Sequence, residues 1–215
     1  MRPKTSRAAR QEKPAKGALT PERIVEEAIG LADKEGLEAL TTRRLARHLG
    51  VEAMALYHHF KSKDALLDAM TERLESQARP QSKSADWRAH LHAVALAQVE
   101  TAMAHAQTAP LMTSRRAASA SVFANNEDVL SCLVRAGLDE RQRVVWVRLF
   151  AALVNGLALY LTAIRARPRA ANVIDPKLYP LTARAVAAGG TVGYRDTLDE
   201  GVAAIIRGID DAAKR

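Results

Sequence analysis

The chain has 215 residues, 48% of them apolar and 26% charged, with 19 Gly plus Pro. This composition suits one large or two small folded domains and excludes collagen-like, fibrous and wholly disordered classes. Thirty-two Lys and Arg against 24 Asp and Glu leave a formal charge of +8, which suits an anionic polymer or surface as partner, and the single cysteine, Cys132, excludes an internal disulfide scaffold and points to the reducing cytoplasm. Residues 1–19 carry six basic side chains (Arg2, Lys4, Arg7, Arg10, Lys13, Lys16) and one acid, Glu12. With almost no large apolar residue there, the spacing predicts a disordered basic arm, serving either as a solubilising tail or as a contact to phosphates. No apolar stretch follows it, so it does not read as a secretory signal.

Thr20-Pro21-Glu22 signals a helix start: a hydroxyl cap, a proline where no N–H is needed, and an acid at the positive end of the dipole. Ile24, Ala28, Leu31 and Ala32 then share one helical face, and Gly36 stops the run. Thr41 caps a second, shorter helix with Leu45 and Leu49 on one side, closed by Gly50. A third covers Ala53 to His59, where Leu56, flanked by Val51 and Phe60, completes a small core with Leu40, Leu45 and Leu49. Ser62-Lys63-Asp64 caps a fourth running to about Arg79, with Leu66, Leu67, Met70 and Leu74 apolar. The polar stretch at 80–85 marks a boundary. Beyond it, helices are predicted over 86–105, near 108–114, and over 118–136, 139–166, 176–188 and 195–213, punctuated by Gly137, Pro168, Asp175-Pro176 and Gly189-Gly190. Asp139 with Gln142 has the form of a capping box.

The expected fold is all-α: a basic arm at 1–19, a three-helix helix-turn-helix unit at 20–65, a connecting helix at 66–80 and a helical bundle at 81–215. The longest uncharged apolar run, Leu149 to Ile164, has 16 residues. That is short of the roughly 20 a bilayer span needs, so it reads as a buried helix with no membrane partner.

Function concentrates between Thr41 and Lys63, where Arg43, Arg44, Arg47, Lys61 and Lys63 face one acid, Glu52, with Tyr57, His58 and His59 among them. A helix, a glycine turn and a second helix can lay the latter in a major groove while cations and hydrogen-bond donors meet phosphates. Other chemistry has weaker support. His58 and His59 are adjacent and point about 100° apart, and no His pair has i, i+4 spacing, so no metal site is expected. No nucleophile–base pair is signalled, and the glycines at 189–193 lack the Lys-Ser/Thr of a phosphate loop, so neither a catalytic residue nor a cofactor is expected. His90, His92 and His105 read as surface or pocket residues and Cys132 as packing.

TTRRLARHLGV followed by LYHHFKSKDALLDAM resembles the TetR family of one-component transcriptional repressors, with residues 20–70 following that pattern and a weaker likeness to tetracycline-repressor regulatory domains continuing to about residue 211. The resemblance implies contacts to DNA from Thr42 and Arg43, from Ala53, Met54 and Ala55 to base edges, from Tyr57, His58 and His59 to phosphates or nearby bases, and from Lys63 to a phosphate. Ala53-Met54-Ala55 offers thymine methyl contacts but no bidentate hydrogen bonding, so base readout falls mainly on Arg43. It also implies a homodimer on a palindromic operator, paired through the helices at 139–166 and 195–213. A small effector would sit between bundle helices, with Trp87, Leu91, Val94, Gln98, Met112, Phe123 and Trp146 as candidates. On an ungapped alignment, the metal-holding His and polar anchor of tetracycline-responsive members fall at Met112 and Val94, which points to a largely apolar effector rather than tetracycline–magnesium. The competing class is an all-α enzyme or small-molecule binding protein with no DNA role.

Overall fold

The computed structural model describes residues 18–115, 119–166 and 174–214, and among these every regular element is a helix. The first four are α1 (Pro21–Glu35), α2 (Thr42–Leu49), α3 (Ala53–His59) and α4 (Lys63–Gln77). Their ends form as the local chemistry dictates. The hydroxyls of Thr20, Thr41 and Ser62 accept from the backbone N–H three residues on, at 3.1–3.2 Å. Gly36 (φ +90°) and Gly50 (φ +69°) take the left-handed turns that close α1 and α2. A single 3-10 turn, Leu37–Ala39, links them and has no signal in the sequence. Residues 1–17 of the expected arm lie outside the described residues. Its last apolar residue, Leu19, belongs instead to the folded unit, packed against the core of α1 to α4 because it is the one large apolar side chain at that end.

The rest comprises α5 (Trp87–Ala104), α6 (Pro110–Ser114), α7 (Ala120–Arg135), α8 (Glu140–Ala166), α9 (Pro180–Gly189) and α10 (Tyr194–Ala213). The Asp139–Gln142 box is present, with both reciprocal bonds at 2.8–2.9 Å. Helix α9 begins later than the Asp175-Pro176 signal implies. Asp175 accepts from Lys177 N–H through its side chain and from Tyr179 N–H through its carbonyl, which closes a turn, and Pro180 then opens the helix. Pro168 lies outside the described residues.

Two apolar cores divide the molecule. The head core joins Ile24, Ala28, Leu45, Leu56, Met70 and Leu74 of α1 to α4, and Leu111 of α6 reaches into it. The body core joins Leu91, Val99, Leu133, Phe150, Val154, Val202 and Ile209 of α5, α7, α8 and α10. Helix α4 belongs to both, packing on α1 in the head and on α5, α6 and α7 in the body.

Helix α8, expected to be buried, is so on one side only. Phe150, Val154 and Leu157 face inward, while Val145, Leu149, Ala152, Gly156, Leu159 and Ala163 are exposed in alternating steps of four and three residues. By length and by the mean hydropathy of its most apolar stretch (1.9, within Glu140–Ala163) this helix could cross a membrane. Its apolar seam is one-sided, however, and Arg141, Arg143 and Arg148 interrupt its first half, which is the pattern of a helix awaiting other helices. On its inner side it meets α10 closely: a methyl at Gly208 would lie 2.2 Å from the Trp146 ring, and one at Gly201 2.9 Å from Leu153.

Candidate nucleic-acid interface and effector cavity

The head sorts its cations into two groups. Arg44 turns back to α1, donating to Glu35 Oε2 at 2.9 Å through Nε and to Oε1 through Nη2, and this pairing holds the Glu35 carboxyl below its usual range. His48 is likewise engaged, 2.9 Å from Glu27. Arg43, Arg47, Lys61 and Lys63 are exposed and have no ion-pair partner among the described residues. These four frame α3, which keeps Leu56 in the core and turns Met54 (67% exposed), Tyr57, His58 and His59 outward. Ala53 and Ala55 are half-buried. Thr42, Tyr57 and Lys63, from three different helices, border one small crevice. The arrangement offers exposed cations on α2 and at the start of α4, the helices flanking the short α3, whose own outward side chains add hydroxyl and imidazole groups able to hydrogen-bond.

The head is tied to the body through α1, α4 and α6. Asp33 of α1 bonds His105 Nδ1 at 2.7 Å and accepts from the Thr108 hydroxyl at 3.0 Å. Arg115, just past α6, holds Asp64 and Asp68 of α4 at 3.0 Å each. Within α6, Leu111 is buried in the head core, while its neighbour Met112 is only partly buried, packing against that core and also lining a cavity in the body.

That cavity has a main chamber of about 310 Å³, between α4, α5, α6, α7 and α8, and a narrow extension of about 50 Å³ toward Ala102, Thr113 and Thr162. Glu75, Gln98, Met112 and Asn155 line both, so they stand where the two meet. Val122, Phe123, Val129 and Phe150 contribute apolar wall to the chamber. Among the described residues, Glu75 is the one charged side chain lining either space. Burial pushes its carboxyl up, and the neighbouring Glu72 adds to that, against the lowering effect of the Asn125 amide, which donates to Glu75 Oε2 at 2.7 Å.

A second buried acid behaves oppositely. Burial alone would raise the Asp128 carboxyl, but Lys83 and Arg79, both at 2.8 Å, outweigh it and hold Asp128 below its usual range. His90 lies buried beside this group, 3.9 Å from Asp128. His92 pairs with Asp199 on the surface. Cys132 is buried in the body core, and burial raises its thiol, which disfavours the reactive thiolate. Among the described residues, no group of three or more His, Cys, Asp or Glu is placed to hold a metal ion.

The sequence matches the family described as bacterial regulatory proteins, tetR family, over residues 24–70, and the tetracyclin repressor-like C-terminal domain over residues 79–212. The second match alone spans more than half of the chain. This protein belongs to the TetR family. It is 34% identical over 148 residues to the HTH-type transcriptional repressor DrrR1 of Streptomyces coeruleorubidus, an alignment covering 66% of this chain and 54% of that one, so the match spans about half of DrrR1. It is 30% identical over 203 residues to the class A tetracycline repressor from transposon 1721 in Escherichia coli, covering 89% and 90%. A possible TetR family regulator from Streptomyces coelicolor A3(2) has the same fold, with a TM-score of 0.79 at 22% identity over 88% of this chain and 98% of that one.

In this TetR-family regulator, Thr42, Tyr57 and Lys63 of the expected head residues border one crevice, Met54, Tyr57, His58 and His59 are exposed on α3 with Ala53 and Ala55 half-buried, and Arg43 is exposed on α2. The expected effector residues do not all converge. Gln98, Met112 and Phe123 line the cavity. Trp87, Leu91 and Val94 instead fill the body core, because helix α5 is packed by neighbours on several sides and these three point away from the void. Trp146 lies over Gly208 of α10, in the notch which that glycine leaves open. Apart from Gln98, the polar lining of the chamber was missed: Glu75, Asn125, Asn126 and Asn155 carry it, and the sequence signal available was an acid and three amides on α4, α7 and α8.

Proposed function

We propose that this TetR-family protein is a cytoplasmic repressor that binds a palindromic operator as a homodimer and leaves it when a small, largely apolar effector occupies the body cavity. The reading head is residues 20–65, α4 over 66–80 is the connecting lever, and 81–215 both senses and pairs. The observation that carries this reading is the set of unpaired cations, Arg43, Arg47, Lys61 and Lys63, around the exposed face of α3. Exposed cations cost little to leave open in water, and these four lie on or next to the helix-turn-helix, where phosphates would neutralise them with release of counterions. The word repressor in the names of both relatives gives the same direction of control.

In the complex, Arg43 reads a base edge, Ala53, Met54 and Ala55 meet apolar groups such as thymine methyls, and Thr42, Tyr57, His58, His59 and Lys63 hold the backbone. Pairing is supported by the exposed seam of α8, where Ala152 and Gly156 permit close approach, and by exposed Leu181 and Val186 on α9. Two heads must then sit about one DNA turn apart, roughly 34–36 Å. An effector touching Glu75 and Met112 bears on α4 and α6, the elements that also hold the head. It shifts the population only through different affinity for the two head spacings. No catalytic role is assigned to any residue. Selection of bound duplexes from a random pool tests the reading: an inverted repeat, bound with steep salt dependence, is the expected result, and indifference to sequence would overturn it.

A further inference from the structure

Two acids of the body, the buried Asp128 and the half-buried Glu75, are treated differently, and the difference points to a class of ligand. Asp128 is neutralised from within by Arg79 and Lys83. Glu75 has no cationic partner among the described residues, although it stands in a largely apolar cavity and carries the only charge on its walls. Its carboxylate is held in place, since Asn125 donates to Oε2 at 2.7 Å and to the Glu75 carbonyl at 3.0 Å. Those two acceptors fix the orientation of the Asn125 amide: turned over, its oxygen would face two other oxygens. Oε1 is left without a donor. Gln98 and Asn155, at the same neck, also have no hydrogen-bond partner among the described residues, so two further amide oxygens are available there. An acid kept partly out of water without a counter-charge is costly, and none of the described residues supplies one here.

We propose that the cavity takes an amphipathic organic cation, an apolar or aromatic skeleton bearing a protonated amine that donates to Glu75 Oε1, with Gln98 and Asn155 as additional acceptors and the skeleton lying against Met112, Phe123 and Phe150. This deepens the effector reading above and rests on that cavity being the effector site. The chamber, about 310 Å³, matches a ligand of one or two rings. Anionic effectors are selected against, because a carboxylate at the neck would meet Glu75 with Glu72 behind it.

The test uses the full chain without DNA and three probes of matched shape, 4-phenylbutylamine, 4-phenylbutanol and 4-phenylbutyrate, titrated calorimetrically. The amine should bind tightest, with the alcohol weaker by roughly 10- to 100-fold, as expected for one charge-assisted hydrogen bond, and the carboxylate weakest. Glu75→Gln should bring amine and alcohol to similar affinity. An amine that does not bind, or binds no better than the carboxylate, or keeps its advantage in Glu75→Gln, would overturn the proposal. The ranking on the unsubstituted protein decides the matter even if the variant were to misfold. Binding to duplex DNA, measured in parallel, separates the two readings: an amine preference in a protein that ignores DNA removes the regulatory reading alone, and operator binding without amine preference removes this one alone.

Discussion

In the head, Arg43, Arg47, Lys61 and Lys63 stand exposed without partners among the described residues, whereas in the body Arg79 and Lys83 converge on Asp128, and the charged group lining the cavity, the acid Glu75, has no cationic partner there. Both regions therefore hold charge that the fold itself leaves uncompensated, with opposite sign and in opposite surroundings. Solvated cations cost little to leave open and act over long range on a polyanion. A half-buried carboxylate costs more and acts only on what enters its cavity. Charge that looks unfinished is thus informative in both places, and the surroundings show how selective its partner must be.

The largest effect is expected where the two regions are joined. Leu111→Ala withdraws a body side chain from the head core and should cost about 2–5 kcal/mol, read as a lowered unfolding midpoint in denaturant. A change within 0.5 kcal/mol would mean that head and body are held together elsewhere. Next, Arg43→Ala should weaken the selected operator by about 1–3 kcal/mol while leaving random duplex nearly unchanged, and Lys63→Ala should weaken both alike. Equal losses on the two DNAs for Arg43→Ala would assign that arginine to the backbone.

The body acids sharpen the contrast with pH. The folded Asp128 carboxyl is held low, so its contribution is present above the ordinary carboxylate range and is lost as pH falls through the lowered value. Asp128→Asn should accordingly destabilise by about 1 kcal/mol at pH 7, discounted for the exposed Lys83, with the difference from the unsubstituted protein starting to shrink below about pH 4 and gone only below the lowered folded value. Glu75 runs the other way. Its folded carboxyl is raised, so a cost is present at neutral pH and is relieved as pH falls from the raised value toward about 4.3. Glu75→Gln should raise the melting temperature at pH 7 by about 2–4 °C for each kcal/mol relieved, with the gain shrinking on acidification. A lower melting temperature at pH 7 would show that the carboxylate is structural.

The head was more legible than the body because its determinants are local. Thr20, Thr41 and Ser62 each bond a backbone group three residues away, and Gly36 and Gly50 each fix one turn, so short-range chemistry sets the starts of α1, α2 and α4 and the ends of α1 and α2. The pairing of Arg44 with Glu35 was not visible, since a run of arginines does not say which member folds back. In the body the elements were legible but their facing was not. Helix α5 is contacted by α4, α7, α8 and α10, so apolar residues occur around its circumference and their period does not distinguish Leu91, in the core, from Gln98, at the void. The start of α9 was misplaced because Asp175 uses its cap for a turn and not for a helix.

The one-residue offset in α6, with Leu111 in the head core and Met112 on the cavity wall, bears on how such a molecule diversifies. An inserted residue there rotates everything after it by about 100°, so that the side chain gripping one compartment is swung toward the other. Replacements at Met112 or Thr113 leave that register intact. Descendants of this chain can therefore change what they sense by swapping letters in this short stretch, but its length must be inherited whole.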